Sequence, residues 1–159
     1  ILAGSAAIIL LTIVCGSQKY NGTGMNLVEA AVLNGKAQPW DFALKLVFTA
    51  ISLGVGFRGG EIVPAFAVGA TFGCVMGGLM GLAPEFGAAV GLIATFCGVV
   101  NCPVASILLS VELFSSEGLL FFALAGAISF MLSGYYGLYS SQKIVYSKLT
   151  AKFIDRRAK

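Results

Sequence analysis

The feature that most limits this chain is a set of long charge-free apolar runs that glycine and proline keep interrupting. Ile62 to Pro84 carries no charged side chain, nor does Phe86 to Val111, nor Gly118 to Gln142. Runs of this kind suit a surrounding of lipid rather than water. Asn101-Cys102-Pro103 cuts the second run, because proline ends or kinks a helix near the residue before it. Several of the resulting segments fall short of the roughly 20 residues that cross a bilayer. Irregular backbone at membrane depth survives only where protein buries it or where it lines a cavity. The pattern points to a transporter or channel site rather than a plain anchor.

Composition narrows the choice further. The chain is 58% hydrophobic and 11% charged, against about 25% charged in soluble domains. So few charges would not cover a water-soluble globule, and so much apolar surface excludes disorder. There is no histidine, which removes the usual general base and the commonest metal ligand. Cys15, Cys74, Cys97 and Cys102 lie in apolar stretches without CxxC spacing and read as buried free thiols. No metal, cofactor or enzymatic activity is expected. The chain opens Ile1-Leu2-Ala3 rather than with Met, and is expected to be a segment of a longer polypeptide.

The pattern predicts helices over residues 1–16, from Met25 to Leu33, and from Trp40 or Phe42 to Phe57. Further helices are expected downstream of Gly60 and over about 87–100, 103–114 and 118–134. A last amphipathic helix is expected from Gln142 to Arg157. Of the 10 basic residues, Lys143, Lys148, Lys152, Arg156, Arg157 and Lys159 sit in this final segment. By the positive-inside rule, 143–159 would be a basic terminal helix on the cytoplasmic side of the cell membrane. No aromatic-interleaved basic surface accompanies it, so the expected partner is the lipid bilayer and not nucleic acid. The fold class expected is an all-α, multi-pass membrane bundle of broken and tilted helices.

The segment best suited to chemistry is Gly59-Gly60-Glu61-Ile62-Val63-Pro64-Ala65-Phe66. A glycine pair meets the start of an apolar helix, with Pro64 fit for its first turn. Helix N-termini present unpaired N–H groups and about half a positive charge. Facing a cavity, they would hold an anion loosely enough to release it. The plainer reading is a break that only sets packing. Downstream, Gly69, Gly73, Gly77 and Gly81 recur every four residues and read as a smooth stripe for a close helix neighbour.

Gly60-Glu61-Ile62-Val63-Pro64 resembles the Gly-x-Phe-x-Pro motif of the CLC chloride channels and chloride/proton antiporters. Tyr20-x-Gly-x-Gly24 is similar to a glycine-rich loop earlier in that family's second half. Asn101-Cys102-Pro103, followed by a helix ending Val111-Glu112-Leu113, resembles the family's Ala-Pro helix, and Lys143-Ile144-Val145-Tyr146-Ser147 its pore-tyrosine segment. The resemblance covers 1–159 as the C-terminal part of one CLC membrane domain, one half of an inverted-repeat fold. It implies chloride or other halide transport, by a voltage-gated channel or a proton-coupled antiporter. Gly60, Glu61, Ile62 and Val63 would form the anion-binding loop through their backbone, and the Tyr146 hydroxyl would donate to the ion. On its residues alone, Tyr146 also fits an interfacial anchor, as do Tyr135, Tyr136 and Tyr139. The resemblance further implies an N-terminal half of the same parent protein as partner, and a homodimer through helices at about 103–134. Ala123, Gly126 and Ala127 would suit close packing there or within one subunit.

The departures bear on the ion. Ile62 stands where the motif has Phe. Gly59-Gly60-Glu61 is similar to the family's fluoride-selective branch, which has Thr where this chain has Val63. A fluoride/proton antiporter is therefore the alternative reading. Glu61 is expected to pair with Arg58, to be protonated, or to join proton coupling. Readings outside the family are an unrelated organic-anion transporter, for whose clamp the apolar segments offer only Lys45 and Arg58, and a non-transporting membrane scaffold. Glu112 and Glu117 are expected at a helix end and a polar turn.

Overall fold

The structure, a computed structural model, describes residues 2–139, 141–150 and 152–158. Ile1, Ser140, Ala151 and Lys159, the last of them part of the basic tail, lie outside the described residues. The chain divides into two compact units, Ile1–Leu92 and Ile93–Lys159.

The first unit holds α1 (Leu2–Cys15), α2 (Met25–Asn34), α3 (Asp41–Gly54), α4 (Ile62–Leu79) and the opening turns of α5 (Pro84–Val100). α2 and α3 both pack on α4, and α1 packs on α3. α4 has 18 residues, so it is about 27 Å long at 1.5 Å per residue. Among the described residues it is the helix long and apolar enough to cross a bilayer. The predicted glycine stripe is real over Gly69, Gly73 and Gly77, and it faces a second stripe on α5. A methyl on Gly77 would lie 3.0 Å from the Gly87 Cα, while one on Gly73 would run into the Gly87 carbonyl. A methyl on Gly91 would run into the Gly69 carbonyl. The two backbones touch without side chains between them, as small-residue repeats in membrane helices allow. Gly81 does not join the stripe: it lies beyond the end of α4 with φ 75° and forms the turn toward α5. α3 turns Asp41, Lys45 and Phe48 inward, a helical i, i+4, i+7 face made largely of charge.

The second unit holds the rest of α5, then α6 (Pro103–Phe114), α7 (Leu119–Leu132), β1 (Lys143–Tyr146) and β2 (Phe153–Arg157). Pro103 opens α6, where its missing N–H costs nothing. α6 packs on α7, with Phe114 and Phe122 ring centroids 5.6 Å apart. Gly126 is buried against Cys97, whose thiol donates to the Gly126 carbonyl at 3.2 Å. That small residue packs inside the unit, while Ala127 is exposed. Cys74 and Cys97 are buried free thiols as expected, but Cys15 and Cys102 are only half-buried. Glu112 and Glu117 are exposed, near the end of α6 and in the turn after it.

The terminal helix expected over 142–157 is instead an antiparallel hairpin, with Lys143 opposite Arg157 and Ile144 opposite Arg156. Lys143-Ile144-Val145-Tyr146 and Phe153-Ile154 are rich in β-branched and aromatic side chains, which fit a pleated surface better than a helix. Ile144 and Ile154 are the half-buried positions of the two strands.

Candidate functional site

The first unit contains a cavity of about 450 Å³, within the 300–1,000 Å³ usual for ligand sites. Beside Ile8 of α1, its walls come from three places in the sequence. One is Tyr20–Thr23, the glycine-rich loop. A second is Gly59, Gly60 and Pro64, the start of the motif that opens α4. The third is the inner side of α3, including Lys45, Thr49 and Ser52. Two motifs some forty residues apart in sequence thus meet at one space.

The loop holds its shape through α3. Tyr20 is 3% exposed, and its hydroxyl donates to Asp41 Oδ1 at 2.7 Å. Lys19 Nζ donates to the same oxygen at 2.8 Å, and the Gln38 N–H donates to Oδ2 at 2.8 Å. One turn further along α3, Lys45 donates to the carbonyls of Tyr20 at 3.1 Å and Gly22 at 2.7 Å. α3 therefore grips one loop with two opposite charges, a carboxylate for its side chains and an ammonium for its backbone. Gly22 and Gly24 have φ 68° and 84°, which L side chains adopt at a cost. At Gly24 a Cβ would also sit 2.6 Å from Lys45 Cε, so glycine there leaves room for the lysine stem. Burial, and then the bond to Asp41, push the Tyr20 phenol above its ordinary pKa.

On the opposite wall, Glu61 is the N-cap of α4 and makes no side-chain capping bond. The N–H groups of Ile62 and Val63 open the helix and have no intrahelical carbonyl to meet, while Pro64 has no N–H. Gly59 and Gly60 are exposed and line the cavity; Glu61, Ile62 and Val63 are half-buried just beyond its lining. The expected Arg58–Glu61 pair does not form: among the described residues the ion pairs are Lys19–Asp41 and Lys143–Asp155. Arg58 is exposed and precedes the helix, so the two side chains do not share the helix face that makes i, i+3 residues neighbours.

Tyr146 belongs to the second unit, on β1. Its side chain is largely exposed, 68%, and its ring stands edge-on to Phe153 with centroids 5.8 Å apart. A polar node holds the hairpin nearby. Asn101, at φ 57° after α5, donates to the Tyr136 carbonyl and accepts from Lys148 and from Ser133, the latter at 2.9 Å. Lys148 also donates to Ser133 Oγ at 2.8 Å and lies over the Phe130 ring, 4.2 Å from its centroid. This node carried no role in the sequence reading, and Lys45 entered it only as a clamp candidate for an organic anion. A lone cation within the otherwise apolar α3 stretch was the available signal for Lys45.

The voltage gated chloride channel family model matches residues 1–134. A chloride/fluoride channel protein of Pseudomonas syringae pv. tomato (strain ATCC BAA-871 / DC3000) is 39% identical over 130 residues, 82% of this chain and 28% of that protein. A solved CLC-type fluoride/proton antiporter superposes with TM-score 0.81 at 34% identity, covering 86% of this chain and 35% of that one. The chain belongs to the CLC (voltage gated chloride channel) family, a family of membrane transport proteins and not of enzymes. It has the helical fold of that family, and it spans about a third of the length of the relatives it matches. Family membership replaces the reading as an unrelated secondary transporter. The matched stretch ends before the hairpin that carries Tyr146.

Proposed function

We propose that this chain forms the C-terminal half of a CLC pathway for a halide, and that the halide is fluoride, exchanged for protons. The observation that carries the proposal is the cavity where the Tyr20–Thr23 loop meets Gly59, Gly60 and Pro64 at the mouth of α4. The amides of Glu61, Ile62 and Val63 would hold the ion, because a helix N-terminus offers donors and a partial positive charge. Fluoride is favoured over the chloride first expected because both relatives carry fluoride in their descriptions. Gly59-Gly60-Glu61 points the same way. Val63, where the fluoride branch has Thr, favours chloride and keeps it as the second reading.

Tyr146 is proposed as a neutral hydroxyl donor to the ion. Pairing of two copies through the helices at 103–134, a cytoplasmic basic hairpin, and an N-terminal half that completes the pathway belong to the same proposal.

The deciding test is efflux from liposomes holding the full-length parent, with fluoride and chloride compared and internal pH followed. Faster fluoride efflux with a coupled pH change is expected. Faster chloride efflux would return the ion to chloride, and no halide flux would leave the family fold without this activity. Tyr146→Ala should alter halide selectivity or coupling, and unchanged transport would make Tyr146 an interfacial anchor. Bromide soaked into crystals should give anomalous density at the amides of 61–63, and a loop packed shut by side chains would remove the site.

A further inference from the structure

We infer that Lys45 supplies the fixed positive charge that draws the anion into the cavity of the first unit. The inference rests on the halide transport proposed above and adds to it a residue outside the helix-N-terminus motif. Lys45 is 1% exposed, yet it lines the cavity. Its polar partners are two neutral carbonyls, of Tyr20 and Gly22. An ammonium has three N–H groups, so one remains after these two bonds.

No carboxylate balances its charge. Among the described residues the ion pairs are Lys19–Asp41 and Lys143–Asp155. Asp41 lies one turn back on the same helix, but Lys19 neutralises it at 2.8 Å, and Tyr20 and Gln38 take further lone pairs. A buried charge without a counter-charge is rare, because burial strongly disfavours it. In membrane proteins such groups mark ion pathways. Holding two carbonyls needs only a neutral donor such as an amide; the charge answers to something else.

The hydroxyls beside it do not share the task. Thr49 donates to the Lys45 carbonyl and Ser52 to the Phe48 carbonyl, both at 2.8 Å, so their hydrogens are engaged by the helix backbone. Positive potential on the α3 wall therefore comes from Lys45. The two carbonyl dipoles moderate its field, which suits a site that must release its ion.

The test uses the full-length parent in liposomes, with fluoride efflux measured against fluoride concentration. Lys45→Met removes the charge and the donors; Lys45→Gln keeps a donor without charge; Lys45→Arg keeps both. Met and Gln should each raise the half-saturating fluoride concentration about tenfold, and Arg should restore it to within about threefold. Maximal rate should change less than half-saturation. Gln matching the wild type would overturn the inference and leave Lys45 a neutral clamp, as would a folded Met variant with unchanged half-saturation. If the Met and Gln variants do not fold, bromide in wild-type crystals decides. Anomalous density in the cavity beside Lys45 Nζ is expected, and bromide bound elsewhere with none there overturns the inference. Wild-type protein that moves no halide and shows no bromide in the cavity would sink the transport reading together with this one. Wild-type flux with Met-insensitive half-saturation would sink this one alone.

Discussion

Lys45 in the first unit and Lys148 in the second each tie an irregular segment to helices, but they do so with different kinds of partner. Lys45 is gripped by main-chain carbonyls of the Tyr20–Thr23 loop. Lys148 meets side chains: Asn101, Ser133 and the Phe130 ring. Backbone partners are always present, so the first arrangement depends only on loop conformation, which Gly22 and Gly24 make accessible. Side-chain partners can be deleted one at a time, and each loss leaves the others half-satisfied. The first unit should therefore respond to mutation as one clamp, and the second as a network that weakens in steps.

The largest effect expected is at Asp41, the other half of the first clamp. It is 3% exposed and takes bonds from Lys19, Tyr20 and the Gln38 N–H. Asp41→Ala leaves the buried Tyr20 phenol without its acceptor and the part-buried Lys19 ammonium with only Gln38 Oε1, at 3.1 Å. The loss should be about 3 kcal/mol, the low end of the range for breaking a buried pair from one side, because Lys19 is part-exposed. Denaturant unfolding of the full-length protein in micelles measures it. A loss under about 1 kcal/mol, typical of an exposed pair, would show that the loop does not depend on α3.

Asn101→Ala should come next, at about 2 kcal/mol, because it removes a donor and an acceptor from part-buried bonds to Tyr136, Ser133 and Lys148. Its φ of 57° adds a conformational cost for alanine. Asn101→Gly should cost about 1 kcal/mol less, since glycine adopts that backbone freely. Equal costs for the two variants would mean that the side-chain bonds alone matter. Lys148→Met should cost about 1 kcal/mol, through one cation–π contact and bonds to groups that keep other partners. Faster proteolysis between β1 and β2 checks it. If Lys148→Met matched Asn101→Ala, the second unit would also be a single clamp.

The same contrast explains what the sequence revealed. The helices at 41–54, 103–114 and 119–132 follow from apolar runs ended by glycine or proline, and the break before α4 follows from Gly59-Gly60. Lys45 stood out as a cation in an apolar run, but its partners are carbonyls, which every residue has and no side-chain pattern encodes. The Gly69-Gly73-Gly77 repeat was readable, whereas Gly81 continued the spacing past a helix end that only the turn geometry sets. The hairpin differs from the expected helix because Val145, Leu149 and Phe153 recur every four residues, as on one helix face, an ambiguity that short apolar segments share. Strand pairing across 147–152 decides it, through bonds such as Ser147 N–H to the Lys152 carbonyl at 2.8 Å.

The smallest and most specific prediction is that alkaline pH moves the Lys19–Tyr20–Asp41 bonds and the Lys148 node in opposite directions. Burial, then Asp41, raise the Tyr20 phenol above its ordinary value near 10.0. For Lys19, burial acts downward but is outweighed by Asp41 and Tyr20, so its ammonium also sits above 10.5. Groups raised on folding contribute stability that is complete below their unfolded pKa and is lost as pH climbs through the folded one. The Lys19–Tyr20–Asp41 bonds should therefore weaken above about pH 10. Lys148 is lowered by burial. A lysine lowered on folding opposes folding while it is charged, and that opposition fades as pH rises from its folded pKa toward the unfolded one. The Lys148 node should gain slightly over that window, which ends near 10.5 where the loss around Tyr20 has already begun. Hydrogen exchange resolved by region, followed from neutral to alkaline pH, reads both at once. Tyr20→Phe should remove the part of the first unit's alkaline loss that comes from the phenol, and Lys148→Met should flatten the gain in the second. Parallel responses in the two regions would mean that the two polar clusters do not act as separate anchors.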